Sequence, residues 1–331
     1  MDCCRDAQRP VLGSLQGASV NLTFYASDKP REHMLAQALV IGAKVHGDTL
    51  EIRRTADYGE DEDGNDRKFA GPSPDTHIAC MFGVKGQSRR ILDDHRAMGR
   101  SVLFFDKGYT RTRGELGHTE YSRVSVNGFS PSAYMMLAPR SSDRWKRLEG
   151  RIEERTANTG HVLICGSSPK YHLAHGLPEV DEWAARLVSH LHKITTRQIV
   201  YRPKPKSYKA RPVNGAAYSH GGTTIKQALR GCHCVVTHGA SAAVDAVIAG
   251  VPVITLGACA ASPVAEKRLD RVDDPYWPSN IERYAWACAL AYAQWTTTEL
   301  RSGEAWEVLK AEVARQQVAD REAAENAKAV A

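Results

Sequence analysis

Short apolar runs alternate with longer amphipathic stretches along the first third of the chain. Four apolar or alternating segments predict strands, at 19–26, 48–54, 75–82 and 101–105. Two stretches have the spacing of amphipathic helices, at 30–46 and 88–98. Pro30 stands at the start of the first helix, where its missing N–H group is not needed. Apolar strands separated by helices are typical of a parallel sheet covered by helices.

A second series of the same kind begins after a polar stretch at 110–160. We predict strands at 161–165, 198–202, 233–237 and 251–256. We predict helices at 180–193, 223–229 and 241–249, and a helical segment rich in Ala, Glu and Trp at 279–331. The fold class is therefore α/β, with two Rossmann-like doubly wound domains facing a central cleft. We place the domains at 1–150 and 151–280 and the C-terminal helices and tail at 281–331.

Composition fits two globular domains. The chain has 331 residues, of which 42% are hydrophobic and 25% are charged. No apolar stretch reaches the roughly 18 to 20 residues that cross a bilayer, and the N-terminus carries charges where a secretion signal has an apolar core. The eight cysteines are too scattered for a disulfide framework. We therefore expect a cytoplasmic protein without a membrane anchor.

Charge is unevenly distributed along the chain. Between Glu182 and Asp245 no acidic residue occurs over 62 positions, and this gap contains ten Lys and Arg. Such a segment suits a polyanion, either a diphosphate or a nucleic acid backbone, although a solvated basic face without a ligand is the alternative. The acidic segment 57–66 lacks the spacing of a calcium loop, and no cysteine or histidine cluster has good ligand spacing. We therefore expect no metal.

The segment 237–254 is the most informative part of the sequence. A predicted strand ends at Thr237, small residues follow, and Ser241 is placed to cap the next helix. Free N–H groups at a helix start suit a phosphate, and Asp245 lies one turn below on the same side as Ser241. A carboxylate there can accept hydrogen bonds from ribose hydroxyls. A capped turn without a ligand is the alternative.

This segment resembles the C-terminal donor-site motif of glycosyltransferases with the two-Rossmann-domain GT-B fold. That motif has a His-Gly-Gly or similar turn, a Ser, Glu-Ala and Gly-Val-Pro, and nucleotide-sugar 2-epimerases share the fold and a related motif. The resemblance includes Gly166-Ser-Ser168, and Tyr201-Arg-Pro-Lys-Pro205 is similar to the Arg-Pro-x-Pro segment of capsule and lipopolysaccharide sugar transferases. It covers residues 160–260. Asp245 replaces the usual Glu, and Ala240 replaces the second Gly.

The resemblance implies a nucleotide-sugar donor, such as a UDP-sugar, and no tightly bound cofactor. It implies that the donor diphosphate meets the turn residues His238, Gly239, Ala240 and Ser241, and that Asp245 meets the ribose. It also implies that Gly166 and Ser167 line the same cleft, and that Arg202 or Lys204 offsets the charge of the leaving diphosphate. The second domain would then bind the donor and the first would bind the acceptor.

An inverting sugar transfer also needs a base for the acceptor hydroxyl. We expect it at the carboxyl end of a strand in the first domain. Asp106, which ends the strand at 101–105, is the first candidate, and Asp28, after the first strand, is the second. Either residue could instead be a helix cap or a member of a loop ion pair.

The basic residues suggest the acceptor. Lys206, Lys209 and Arg211, together with Arg111 and Arg113 in the other half, suit a DNA backbone. The chain is similar in size to bacteriophage transferases that glycosylate hydroxymethylated bases in DNA, which predicts a hydroxymethylated pyrimidine as the acceptor and the host cytoplasm as the location. The alternatives are a transferase for a bacterial surface glycan, a nucleotide-sugar 2-epimerase, and a non-catalytic nucleic-acid binder.

Overall fold

The computed structural model describes residues 19–61, 63–83, 87–110, 121–155, 160–204, 211–219 and 222–330. The chain divides into two compact units. The first comprises Met1–Phe129 and Gln294–Ala331, and the second comprises Ser130–Ala293. The sequence predicted a junction at residue 150 and a separate C-terminal segment at 281–331. The structure instead places the first division about twenty residues earlier and returns the end of the chain to the first unit.

The described residues form strands and helices in two separate sheets. The strands are β1 (Asn21–Ala26), β2 (Thr49–Arg54), β3 (Ile78–Phe82), β4 (Ser101–Lys107), β5 (Tyr121–Val126), β6 (Val162–Cys165), β7 (Ile199–Arg202), β8 (Ala217–Tyr218), β9 (Cys234–Thr237), β10 (Val253–Thr255) and β11 (Gln294–Thr296). The helices are α1 (Pro30–Val45), α2 (Gln87–Ala97), α3 (Ala133–Leu137), α4 (Asp143–Arg147), α5 (Pro169–Ala174), α6 (Val180–Ile194), α7 (Ile225–Ala228), α8 (Ala242–Ile248), α9 (Asn280–Ala291), α10 (Thr297–Ser302) and α11 (Glu304–Val330). None of the described helices is long and apolar enough to span a membrane.

The sheet of the first unit has the order β11-β5-β4-β3-β1-β2. Strands β1 to β4 are parallel, whereas β5 and β11 add an antiparallel edge. Strand β1 is buried from Leu22 to Ala26, as expected for a central strand covered on both faces, while β2 at the edge is mostly exposed. Because the chain passes from β1 outward to β2 and then back to β3, the strand order reverses between β1 and β3.

The sheet of the second unit is entirely parallel and has the order β10-β9-β6-β7-β8. Helix α6 covers it with buried Trp183, Leu187 and Leu191, which share a core with Val162 and Ile164 of β6. Counted from β6, this is the Rossmann strand order 3-2-1-4-5, and the order reverses between β6 and β9. The predicted fold class, α/β with two Rossmann-like domains, is confirmed, although the first sheet is mixed.

The C-terminal segment is part of the first unit because it completes that unit's sheet and core. Strand β11 pairs antiparallel with β5, and Trp295 lies opposite Ser122. Further along, Trp306 and Lys310 of α11 bind the buried carboxylate of Asp48, which precedes β2. The contacts with Asp48 join residues more than 250 positions apart, so no local pattern could assign the segment to a domain.

Candidate functional site

The carboxyl ends of β6 and β9 form the switch point of the second sheet, where ligands bind in open α/β sheets. A hydrogen bond links the two ends, because the Thr237 hydroxyl donates to the Cys165 carbonyl at 2.8 Å. The same hydroxyl oxygen accepts from the backbone N–H groups of Gly239 at 3.3 Å and Ala240 at 3.0 Å. These two amides, which we expected to meet a diphosphate, are therefore used to shape the turn after β9.

The turn after β6 is built from small residues. A Cβ atom at Gly166 would lie 3.2 Å from the hydroxyl of Tyr201, so this glycine allows a buried tyrosine to pack beneath the turn. Ser167 is buried. The Ser168 side chain accepts from the backbone N–H of Tyr171 at 3.3 Å and caps α5. Gly166 and Ser167, which we expected to line the donor cleft, both lie at the switch point.

Arg202 provides a buried cation next to this turn. It ends β7, beside β6, and its backbone carbonyl accepts from the Gly166 N–H at 2.9 Å. The residue is 7% exposed, and its guanidinium donates to the Ser219 hydroxyl at 3.2 Å. Among the described residues it has no carboxylate partner. Lys204, two residues further, is exposed. A buried cation without a carboxylate is a natural partner for an anionic ligand.

Helix α8 carries the two polar residues of the predicted motif. Ser241 occupies its N-cap position, but its side chain makes no capping hydrogen bond. Asp245 lies one turn further and is half-buried. Burial raises the pKa of the Cys165 thiol at the end of β6 to about 12, while Arg202 lowers it and Asp245 raises it. Arg202 and Asp245 thus both lie close enough to the end of β6 to act on one thiol.

The sequence did not predict an aromatic cluster that lies at the switch point. The hydroxyl of Tyr171, in α5, lies 3.1 Å from Nδ1 of His238, directly after β9. The Tyr171 ring stacks on His175 with 3.9 Å between ring centroids. The spacing of Tyr171 and His175, one helical turn apart after Gly-Ser-Ser-Pro, is the only sequence signal for this pair.

Two glycines provide the space for this cluster. A Cβ atom at Gly239 would lie 2.1 Å from the Tyr171 hydroxyl, and one at Gly257 would lie 2.3 Å from Cε1 of His238. The space at Gly239, where the resemblance implies the donor diphosphate, is taken by the Tyr171 hydroxyl. Burial lowers the pKa of His238, and the neighbouring His175 and His172 lower it further, so its imidazole is neutral at pH 7.

The two candidate bases lie at different strands of the first sheet. Asp28 follows β1 at the reversal between β1 and β3, is largely exposed, and has an ion pair of 3.4 Å with the exposed Arg54. Asp106 lies in β4, where Arg123 donates to Oδ2 at 2.7 Å and the Lys107 N–H donates to Oδ1 at 2.7 Å. Both oxygens of Asp106 are therefore engaged in local structure.

The predicted nucleic-acid contacts lie mostly outside the described residues. Lys206, Lys209, Arg111 and Arg113 are not among them. Arg211 is exposed, and its backbone N–H donates to Asp181 at 3.2 Å. In the described ranges, no group of three His, Cys, Asp or Glu side chains is arranged to hold a metal ion.

Proteins similar to this chain were found among solved structures. A scan against protein-family models and a search of curated proteins each found no match. KpsC of Thermosulfurimonas dismutans, a β-Kdo 2,4-transferase, is 12% identical, with a TM-score of 0.49 over 82% of this chain and 90% of that chain.

Two further solved structures represent other enzymes. The UDP-GlcNAc 2-epimerase of Methanocaldococcus jannaschii, in complex with UDP-GlcNAc and UDP, is 9% identical, with a TM-score of 0.26 over 72% of this chain and 84% of that chain. The glycosyltransferase SsfS6 of Streptomyces sp. SF2575, complexed with thymidine diphosphate, is 12% identical, with a TM-score of 0.29 over 86% of this chain and 99% of that chain.

Proposed function

We propose that this protein is a glycosyltransferase that binds a nucleotide-sugar donor at the switch point between β6 and β9. The observation that carries the proposal is the buried residue Arg202 at this edge, whose guanidinium has no carboxylate partner among the described residues. Burying an unpaired cation is costly, and the phosphates of a nucleotide would supply the missing negative charge. The acid-free segment 183–244 contains Arg202 and the whole turn after β9.

The residues at this edge suit departure of a nucleoside diphosphate. In the reaction, the acceptor oxygen bonds to the anomeric carbon of the sugar, and the bond from that carbon to the diphosphate oxygen breaks. The diphosphate gains negative charge, which Arg202, the N–H of His238 and the exposed Lys204 stabilise without a metal. Asp245, one turn below Ser241, accepts hydrogen bonds from the ribose. Gly166, Ser167, Gly239, Ala240 and Ser241 line the site.

The acceptor proton needs a base, for which Asp106 and Asp28 are the two candidates. Asp106 neutralises the half-buried Arg123, so taking up a proton would leave that guanidinium without its counter-charge. Asp28 is exposed and lies at the strand reversal of the first sheet. We therefore propose Asp28 as the base. Asp28→Asn should abolish transfer and leave donor binding intact, whereas Asp106→Asn should chiefly reduce stability.

The acceptor proposed from the basic residues is a hydroxymethylated pyrimidine in DNA, with Lys206, Lys209, Arg211, Arg111 and Arg113 contacting the backbone. A surface glycan is the alternative acceptor, and a cytoplasmic location stays a prediction. The test uses purified protein, a pool of UDP-, GDP- and TDP-sugars, and duplex DNA with or without 5-hydroxymethylated pyrimidines. The DNA is digested to nucleosides and analysed by mass spectrometry.

The outcomes separate the candidate functions. A sugar-sized mass gain on the hydroxymethylated base alone supports transfer to DNA. Donor hydrolysis or transfer to an added glycan, without a change in the DNA, supports the other acceptor class. Interconversion of the donor sugar without an acceptor identifies a 2-epimerase and contradicts the proposed transferase. The Asp245→Ala variant should lower activity in either enzyme, because it weakens donor binding.

A further inference from the structure

The hydrogen bond between Tyr171 and His238 determines which tautomer the histidine adopts. Oη of Tyr171 and Nδ1 of His238 lie 3.1 Å apart, so one of the two groups donates a proton to the other. A phenol is a far stronger acid than a neutral imidazole, and a bare imidazole nitrogen is the better acceptor. The Tyr171 hydroxyl therefore donates to Nδ1. In a neutral ring, the remaining proton must then be on Nε2.

The His238 ring is held in place from two sides. Tyr171 binds one nitrogen, and Gly257 packs against the adjoining edge, where a Cβ atom would lie 2.3 Å from Cε1 and 2.5 Å from Nδ1. Tyr171 is itself held, since its hydroxyl rests on Gly239 and its ring stacks on His175 at an angle of 22°. The ring of His238 thus has little freedom to turn while these contacts persist.

The tautomer of His238 that Tyr171 selects has a hydrogen-bond donor, Nε2–H, at the switch point. Nε2 of His238 has no hydrogen-bond partner in the described part of the chain, and the residue is half-buried beside the turn after β9. Burial and the nearby His175 and His172 lower the pKa of His238, so it presents an N–H donor without a full charge at neutral pH.

We propose that Tyr171 is a positioning residue for donor binding: its hydroxyl holds His238 in the orientation and tautomer in which Nε2–H donates to a diphosphate oxygen. The inference rests on the donor site proposed above. It assigns to Tyr171 the role that a carboxylate or carbonyl often has behind an active-site histidine. Gly239 and Gly257 are then required because they make room for this pair.

Tyr171→Phe tests the inference because it removes only the hydroxyl and keeps the ring on His175. The control is Tyr292→Phe, which removes a hydroxyl that donates to Asp143 at 2.8 Å in the same unit. Binding of inorganic pyrophosphate is measured by calorimetry at pH 7.5. Two-bond ¹H–¹⁵N spectra of histidine-labelled protein report the tautomer of His238.

We expect wild type to bind pyrophosphate with His238 as the Nε2–H tautomer. In Tyr171→Phe, the affinity should fall about tenfold, as for loss of an aligned hydrogen bond to a charged group, and Nδ1–H signals should appear. Tyr292→Phe should change neither. The inference is overturned if wild type does not bind pyrophosphate, if its His238 is the Nδ1–H tautomer, or if Tyr171→Phe binds equally well.

The two proposals fail in different ways. Pyrophosphate binding that depends on Tyr171, with no nucleotide-sugar bound by wild type, would refute the proposed function and support the role of Tyr171. Nucleotide-sugar binding that is the same in wild type and Tyr171→Phe would support the proposed function and overturn the role of Tyr171.

Discussion

Replacing Asp48 with Ala should strongly destabilise the first unit, because this carboxylate connects the start of β1 to helix α11. Asp48 is 2% exposed. Its Oδ1 accepts from the backbone N–H of Val20 at 2.7 Å, and its Oδ2 accepts from the indole N–H of Trp306 at 2.6 Å. Nζ of Lys310 lies 3.0 Å from both oxygens. Asp48, which directly precedes β2, thus links the residue before β1 to helix α11.

The size of the effect follows from what the substitution leaves behind. Removing one partner of a buried ion pair costs about 3–5 kcal/mol, and each buried N–H without an acceptor costs about 1–3 kcal/mol. The Lys310 side chain is 21% exposed and can turn to water, which reduces the first cost. We therefore expect Asp48→Ala to lower the free energy of unfolding by about 3 kcal/mol. Asp48→Asn, which keeps an acceptor oxygen, should lower it less.

Urea unfolding followed by far-UV circular dichroism measures this loss, with a separate transition fitted for each unit. Asp93→Ala is the matched control, because it removes an exposed carboxylate paired with Arg89 at 2.8 Å in the same unit. An exposed pair of this kind contributes at most about 0.5 kcal/mol. Equal stability of Asp48→Ala and Asp93→Ala would refute the reasoning that the carboxylate anchors the C-terminal helix.

Three further predictions concern the site and the core. Gly239→Ala should displace the Tyr171 hydroxyl, because the new Cβ would lie 2.1 Å from it. The free energy of unfolding in urea should fall by about 1–3 kcal/mol. An unchanged unfolding midpoint would contradict this packing. Asp245→Ala should weaken nucleotide-sugar binding about 10- to 100-fold in calorimetry, as for a lost hydrogen bond to a charged group, whereas equal affinity would remove it from the site. Burial and the nearby Arg100 and Arg53 lower the pKa of His95 from 6.5 to about 4. The unfolded chain therefore binds a proton that the fold excludes, and its contribution to stability, complete above pH 6.5, should be lost as the pH falls toward 4. His95→Gln should lack this part of the acid sensitivity, and parallel curves of unfolding free energy against pH would show that His95 does not titrate as described.

The sequence predicted the parallel strands well because their signal is local. Buried parallel strands are continuous apolar runs, and the segments at 19–26 and 161–165 correspond to β1 and β6 within two residues. The two antiparallel strands at the edge were not predicted, because neither is a continuous apolar run. Strand β5 alternates polar and apolar residues inside a stretch that we interpreted as a junction, and β11 is three residues long between helices.

Contacts between distant residues explain what the sequence could not predict about the site. The segment that resembles a donor-site motif lies at the switch point, because its residues follow β9 directly. The partner of His238 is 67 positions away in α5, and no spacing rule connects them. Gly239 illustrates the ambiguity of a small residue, since it makes room for Tyr171 rather than leaving an open space.

Binding of nucleotide-sugars to the wild type and to an Arg202→Met variant tests the central claim most directly. Arg197→Met is the control, because Arg197 lies just before β7, at the opposite end from Arg202, and pairs with Asp273 at 3.1 Å. Calorimetry with UDP-, GDP- and TDP-sugars should show that wild type and Arg197→Met bind at least one donor. Arg202→Met should bind it at least about tenfold more weakly. A wild-type protein that binds none of these donors, or an Arg202→Met variant that binds as tightly as wild type, would contradict the proposed donor site.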